Sequence, residues 1–436
     1  MTDPLASVWA AIDADPDYVT TLTQELVRIP SVNPKFEQGE GLNREADVQS
    51  LIDSRLTEIG FATESFETFP GRPNVIGNMA GSEDRSMILC GHIDVVPVGN
   101  RGNWKVDPFG AEIIDGKLYG RGAVDMKSGV AACIAAAHFI KKAGITLEGR
   151  LSLHSVIDEE AGGFGAMDVV ARGHLAKSAI IAEPTWGMVQ PAEGGLEWVR
   201  VTIIGRSGHA GMRYNDIFPQ PHVPGRVTPA INAIELANRF LSALRDFEAN
   251  RCRNNYHPLC PPGLSTINPG VIHGGVGIGA DGLPLIRSNP AMTPDRVVID
   301  LDYKFLPNET SAEIRKEFED FVHHFAQTDP WMRDNPPTVQ WELGGLHFAP
   351  MDTPIDHPLV QSLIAHHTGL EGVAPKVRGF DAVTDAAHYA GKGVQSVIYG
   401  PSGDGFHGDN EYVDVASLLR ATKVIAAAVL DTCGVK

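Results

Sequence analysis

Five short segments of the 436-residue chain end in residue types that bind metals or move protons. In SMILCGHIDVVP an apolar run gives way to Gly91-His92-Ile93-Asp94. Strand alternation would point His92 and Asp94 to the same side at the strand's C-terminal end. An imidazole and a carboxylate two residues apart suit a metal ligand with its orienting group; a polar strand end is the plainer alternative. In LYGRGAVDMKSG, Asp125 stands where a Gly-rich turn enters an apolar helix. It could cap that helix or bridge two metal ions. SVIDEEAGG holds three acids in a row, Asp158, Glu159 and Glu160, after a strand. An acidic run is usually a solvated loop, but crowded carboxylates at a central strand's end are costly without cations between them. Adjacent glutamates can divide the work, one binding metal and the other taking a proton from water. Glu183 in AIIAEPT ends a further strand, and His407 in GDGFHGDNE follows a Gly-rich turn.

No one segment is decisive. Their conjunction is, because four or five strand ends would deliver ligand-type residues to one edge, where open α/β sheets bind ligands. Imidazoles and carboxylates around an open position suit catalytic zinc, cobalt or manganese. The expectation is a two-metal site of His92, Asp125, Glu160, Glu183 and His407.

The elements needed to position these residues are legible as alternating strands and helices. Helical spacing covers Asp17–Ile29 and about Asn43–Ile59, and strands are expected at Asn74–Met79 and Ser86–His92. Asp115-Gly116 reads as a two-residue hairpin turn, and Met126–Ala143 as a buried helix. Strand LSLHSVID, a helix from Gly165 to Arg172 and strand AIIAE follow. This order predicts an α/β sheet with helices on both faces. From about Trp198 the order becomes β-α-β-β-α-β, the ferredoxin-like unit. It is built from VRVTIIG, a helix at Pro229–Phe247, STINPGVI, RVVIDLDYKF, a helix at Ser311–Gln327 and PTVQWELGG. After Pro350 the α/β pattern resumes, with helices at Pro358–His367 and Asp414–Asp431 around strand VQSVIYG. The expected fold is therefore a mixed-sheet α/β catalytic domain, residues 1–197 and 350–436, with an inserted α+β domain at 198–349. Two Pro-rich stretches, Phe218–Pro229 and Tyr256–Pro269, read as loops of the insert.

Composition narrows the function. Hydrophobic residues are 43% and charged residues 21%, an ordinary globular balance rather than a disordered one. A formal net charge of -18 disfavours nucleic acid as a partner. No run of about 18 apolar residues is evident, and the first residues lack the basic start and apolar stretch of a signal peptide. Five scattered cysteines without a CxxC pair read as reduced thiols in a cytoplasmic protein.

GHIDVVP, GRGAVDMKSG, IDEEAGG, IAEPT, GRSGHAG and FHGDNEYV occur in order along nearly the whole chain. Together they resemble the signature segments of the acetylornithine deacetylase, succinyl-diaminopimelate desuccinylase, aminoacylase and carboxypeptidase G family of dinuclear zinc hydrolases. The resemblance implies that His92 and Glu183 bind one metal, Glu160 and His407 the other, and that Asp125 bridges them. It further implies that Asp94 orients His92 and that Glu159 is the general base. The insert would be a lid and dimerisation domain, with His209 of SGHAG stabilising the oxyanion in a homodimer partner's site. A strand-end surface histidine is the plainer reading of His209.

The sequence also departs from that family. Relatives that bind an α-carboxylate carry Asn in an Asn-Val-Ile-Pro segment and an Arg ten positions after its proline; here the residues are Ala291-Met292-Thr293-Pro294 and Lys304. The deacetylase segment Thr-Asp-Ala-Arg reads Thr384-Asp385-Ala386-Ala387. A lysine supplies charge without a bidentate fork. Arg287 is a candidate substitute, and Thr384 and Lys304 are further candidate substrate contacts. The expected activity is hydrolysis of the C–N bond of an N-acyl amino acid or small peptide-like compound. A deaminase or amidase acting on an aromatic or xenobiotic acid is the runner-up, and a non-catalytic dimeric binding protein on the same fold is a third class. A phosphoesterase lacks the basic cluster that a phosphate needs.

Overall fold

Three neighbouring parallel strands, Gly149–Val156, Ser82–His92 and Ser178–Ile181, form the middle of the largest sheet. The protein is described here by a computed structural model covering residues 3–213 and 229–436. Its chain divides into two compact units, one of residues 1–193 and 351–436 and the other of residues 194–350.

In the first unit, Met87–Cys90 and Leu151, Leu153 and Val156 are fully or almost fully buried. Continuous apolar runs of this kind are what a parallel strand covered on both faces requires. Among the described residues the sheet has nine strands. Arg72–Met79 and then Ala62–Phe69 extend it antiparallel on one side. Gln395–Ile398 extends it in parallel on the other, followed by Val189–Glu193 and its partners Met351–Asp352 and Val377–Phe380.

Helix Ser128–Lys142 packs into this core through a run of small residues. A Cβ on Gly129 would lie 1.9 Å from the carbonyl oxygen of Ala182, so only glycine permits the approach of the helix start to the strand end. The stretch Ala123–Lys142 is long and apolar enough to cross a membrane, yet 89% of its apolar window is buried inside the unit, as befits a core helix. A separate four-stranded sheet joins Ile113–Ile114, Lys117–Tyr119, Tyr412–Asp414 and Gly403–Asp404. The Asp115-Gly116 turn has positive φ at both residues, as the two-residue hairpin demands.

The second unit orders its strands Ile267–Gly275, Arg296–Phe305, Gly195–Ile204, Thr338–Gln340, all antiparallel. Helices Ala233–Asn254 and Ser311–Gln327 bury Phe240, Leu244, Phe318 and Val322 with Val201, Ile299 and Tyr303 of the strands. Asn232 caps the first helix, and Thr310 with Glu313 forms a capping box on the second. The first of these helices starts four residues later than the periodicity suggests. Apart from Pro229, the Pro-rich stretch Phe218–Pro229 lies outside the described residues.

Candidate metal centre

Parallel strands bring three of the chemistry-bearing segments to one edge. His92 closes Ser82–His92, Glu159 and Glu160 lie in the short turn after Gly149–Val156, and Glu183 follows Ser178–Ile181 by two residues. The other two arrive differently from the expected strand-end pattern. Asp125 sits in an irregular turn, Ala123–Lys127, ahead of the core helix, and the Asp125–Met126 peptide is cis. His407 stands in the loop after Gly403–Asp404 of the four-stranded sheet, with φ of 57°. Asp125 does not cap the helix. The N-cap is Lys127, and no side chain caps there.

The geometry draws all six residues into one cluster. His92 Nε2 lies 3.3 Å from Asp125 Oδ1, 3.6 Å from Glu183 Oε1 and 3.8 Å from Glu159 Oε2. His407 Nε2 lies 2.9 Å from Glu160 Oε2 and 3.3 Å from Asp125 Oδ2. Asp125 therefore presents one oxygen to each imidazole, the arrangement of a bridging carboxylate between two ion positions. Ligand atoms of His92, Asp125 and Glu160, and separately of His92, Glu159 and Glu183, fall within 4.8 Å of one another.

A second ring of residues holds the first. Asp94 was expected to orient His92 through its carboxylate. Instead, His92 Nδ1 hydrogen-bonds to the Asp94 main-chain oxygen at 3.0 Å, and the carboxylate lies 3.6 Å away. That carboxylate accepts the backbone N–H groups of Glu159 and Glu160 and the Asn33 amide, so Asp94 fixes the glutamate turn as well as the histidine. Asp158, the third acid of the run, turns away to Lys35 at 2.5 Å and Arg72 at 3.0 Å. Glu411 is buried against Arg121 at 2.6 Å and accepts the backbone N–H groups of Gly122, Val124 and Asp125. The sequence reading missed Asn33, Lys35, Arg72, Arg121 and Glu411 as supports, because each reaches the site across a long separation in the chain. The signal available for Glu411 was its place in FHGDNEYV beside His407.

Burial, together with neighbouring acids, pushes the Glu159 and Glu183 carboxyls well above the usual range, and Glu160 to about 7. Burial also raises Asp125, but the His407 and His92 imidazoles beside its two oxygens reverse this and hold it low. His407 is driven to about 10 by its hydrogen bonds to Asp125 and Glu160. Burial lowers His92, but the charges of Glu183 and its other acidic neighbours outweigh that and raise it. The chain thus packs more acid into the cleft than its own cations neutralise. His92 Nε2 and Glu160 Oε1 are also buried without a hydrogen bond. Two nitrogen ligands, three carboxylates and a spare glutamate form a donor set that fits two divalent cations.

A cleft of about 290 Å³ opens on Asp125, Glu159, Glu160, Glu183 and His407, with Trp186, Phe380, Val383, Thr384 and Phe406 among its other walls. Thr384 is buried in this wall and donates its hydroxyl to Glu193 Oε2 at 2.9 Å. The remaining candidates lie in the second unit. His209 is exposed in a two-residue strand paired with Met292–Thr293, its Nδ1 accepting the Gly211 N–H. Arg287 is exposed in a loop, and Lys304 is half-buried in strand Arg296–Phe305 opposite Leu196.

The peptidase family M20/M25/M40 model matches residues 88–431. The chain is 31% identical to the N-formyl-4-amino-5-aminomethyl-2-methylpyrimidine deformylase of Bacillus subtilis, over 100% of this chain and 99% of that one. It is 30% identical to the deformylase of the same name from Halalkalibacterium halodurans, over 97% and 96%. Among solved structures, aminopeptidase PepT from Bacillus cereus shares the fold with a TM-score of 0.70 at 19% identity, covering 96% of this chain and 98% of that one. The chain belongs to peptidase family M20/M25/M40. Within that family it is a metal-dependent hydrolase of amide bonds.

Proposed function

We propose that this enzyme removes a small acyl group, formyl foremost, from the nitrogen of an aromatic-ring amine, using two divalent ions, zinc by donor chemistry. The observation that carries the reaction is the cluster of His92, Asp125, Glu160, Glu183 and His407 around one cleft, with no Lys or Arg bonded to its carboxylates among the described residues. The substrate half rests on the similarity to the two deformylases along the whole chain. Lys304 and Ala387, standing where α-carboxylate-binding relatives carry arginine, also support it.

His92 and Glu183 would hold one ion, His407 and Glu160 the other, with Asp125 shared. Bound there, the ions supply Lewis acidity toward the amide carbonyl and the attacking water. Glu159 is the general base. It takes the proton from the water that attacks the carbonyl carbon and hands it to the nitrogen as the C–N bond breaks. Asp94 holds Glu159 in place through its backbone N–H. By family resemblance, unit 194–350 acts as lid and dimerisation domain of a homodimer, and His209 donates to the developing oxyanion in the neighbouring subunit. Arg287 is a candidate contact for a polar substituent on the substrate. Five cysteines without a disulfide suit a cytoplasmic enzyme.

The test is a substrate panel on metal-reconstituted enzyme. N-formyl aminomethylpyrimidine should be turned over with kcat/KM above about 10⁴ M⁻¹s⁻¹, where competent enzymes begin. N-acetylornithine and N-succinyl-diaminopimelate should be poor substrates. Efficient hydrolysis of either, with none of the formamide, overturns the substrate assignment.

A further inference from the structure

Two large aromatic side chains stand exposed at the wall of the metal cleft, where burial would normally have claimed them. Trp186 is 46% exposed and Phe406 41%. Their rings meet edge to face, with centroids 5.6 Å apart. Both line the same cleft as Asp125, Glu159, Glu160, Glu183 and His407.

The backbone beneath Trp186 is unusual for such a residue. The Met188 N–H donates to the Thr185 carbonyl at 2.9 Å, closing a turn whose central residues Trp186 and Gly187 have φ of 53° and 73°. That conformation favours Gly, Asn or Asp, and a bulky side chain there is strained. The indole is nevertheless fixed, since its Nε1 donates to the Gly403 carbonyl at 2.8 Å. That bond ties the turn after Glu183 to the strand that leads to Phe406 and His407. Strain of this kind clusters where a side chain serves a ligand. Each aromatic also lies close in sequence to a residue placed on an ion, Trp186 three residues after Glu183 and Phe406 directly before His407.

We propose that Trp186 and Phe406 form a ring-binding subsite that selects a planar heteroaromatic amine as the leaving half of the substrate. The inference rests on the proposed amide hydrolysis and names the residues that read its amine. A flat ring can stack on one aromatic face while the edge of the other closes the side of the slot. The apolar wall at Phe380, Ala382 and Val383 lines the same cleft and offers no charge to an aliphatic carboxylate.

The test compares kcat/KM for two formamides, one of an aminomethylpyrimidine and one of a straight-chain alkylamine of similar length, in wild type, Trp186→Asn and Phe406→Ala. Asparagine suits the left-handed turn, so Trp186→Asn removes the ring, and with it the bond to Gly403, without straining the turn's backbone. Either variant should lower the aromatic-to-aliphatic ratio about tenfold, mainly through KM, and Phe406→Tyr should restore most of it. An unchanged ratio, or equal losses on both substrates through kcat, would show that the pair merely supports the metal loops and would overturn the subsite. Binding of the free aminomethylpyrimidine, followed as fluorescence quenching in wild type minus Trp186→Phe, separates this inference from the hydrolytic reading. Quenching in an enzyme that cleaves no formamide would sink the reaction and keep the subsite. Turnover of the aromatic formamide without quenching, and without loss in Trp186→Asn, would do the reverse.

Discussion

Two groups of buried acids are treated in opposite ways. Asp158, Glu45 and Glu411 each meet a guanidinium or an ammonium: Arg72 and Lys35 for Asp158, Arg72 for Glu45, Arg121 for Glu411. Asp125, Glu160 and Glu183 meet only imidazoles among the described residues. An unpaired buried carboxylate is expensive, and a protein that can place Arg121 and Arg72 so close could have paired the rest. The second group is thus kept open for charge from outside the chain, while the first group builds the frame around it.

The largest expected effect comes from withholding that outside charge. Chelation should abolish activity and lower the melting temperature, because the ions bind the folded state alone. Adding zinc, cobalt or manganese should reverse both changes. A chelated enzyme with full activity would end the comparison at once.

Next is the boundary between the groups, Glu159, which lies 3.8 Å from His92 Nε2 but is assigned to proton transfer. Glu159→Ala should cut kcat by about 10²–10⁴ while keeping both metals. Loss of metal in this variant, measured by elemental analysis, would move Glu159 into the ligand set.

Glu411→Ala attacks the frame. It leaves Arg121 buried without its partner, which costs about 3–5 kcal/mol in denaturant unfolding. It also releases the backbone around Asp125, so metal affinity should fall about 10–100-fold. Unchanged affinity would mean that the Asp125 turn holds itself.

The smallest effect is expected at Lys35, whose ammonium is partly exposed and shares Asp158 with Arg72. Lys35→Ala should cost under about 1 kcal/mol and leave metal content intact. A larger loss would show that Lys35 over the rings of Phe69 and Phe164 matters more than its charge pair.

How much of this was legible depends on whether the signal was local. The Asp115-Gly116 hairpin, the apolar run into His92 and the small-residue helix after Asp125 were all readable, because turn chemistry and periodicity act over a few residues. Helix Pro4–Ala14 was passed over, since only Val8 and Ile12 of its residues are buried and two residues make no pattern. Strand Ala62–Phe69 was missed because it lies at the sheet edge with little of its length buried, leaving no alternation to read. In the site, residue types and spacing pointed to the six side chains that the structure brings together. The partners that hold them could not be read. Arg121 and Glu411 are 290 residues apart, and Asn33 reaches Asp94 and Asp158 across the fold. Such pairs follow from topology, which no single segment encodes. The role of Asp94 shifted for the same reason, since its carboxylate serves a turn 65 residues away.

Metal stoichiometry decides whether the acids lacking Lys or Arg partners hold two ions. Elemental analysis of reconstituted wild type, Glu159→Gln, Glu160→Ala and Glu183→Ala, each normalised to protein, makes the measurement. The wild type and Glu159→Gln should each carry about two ions per chain, and each of the other two about one fewer. One ion per chain in the wild type, or undiminished content in both Glu160→Ala and Glu183→Ala, would contradict this.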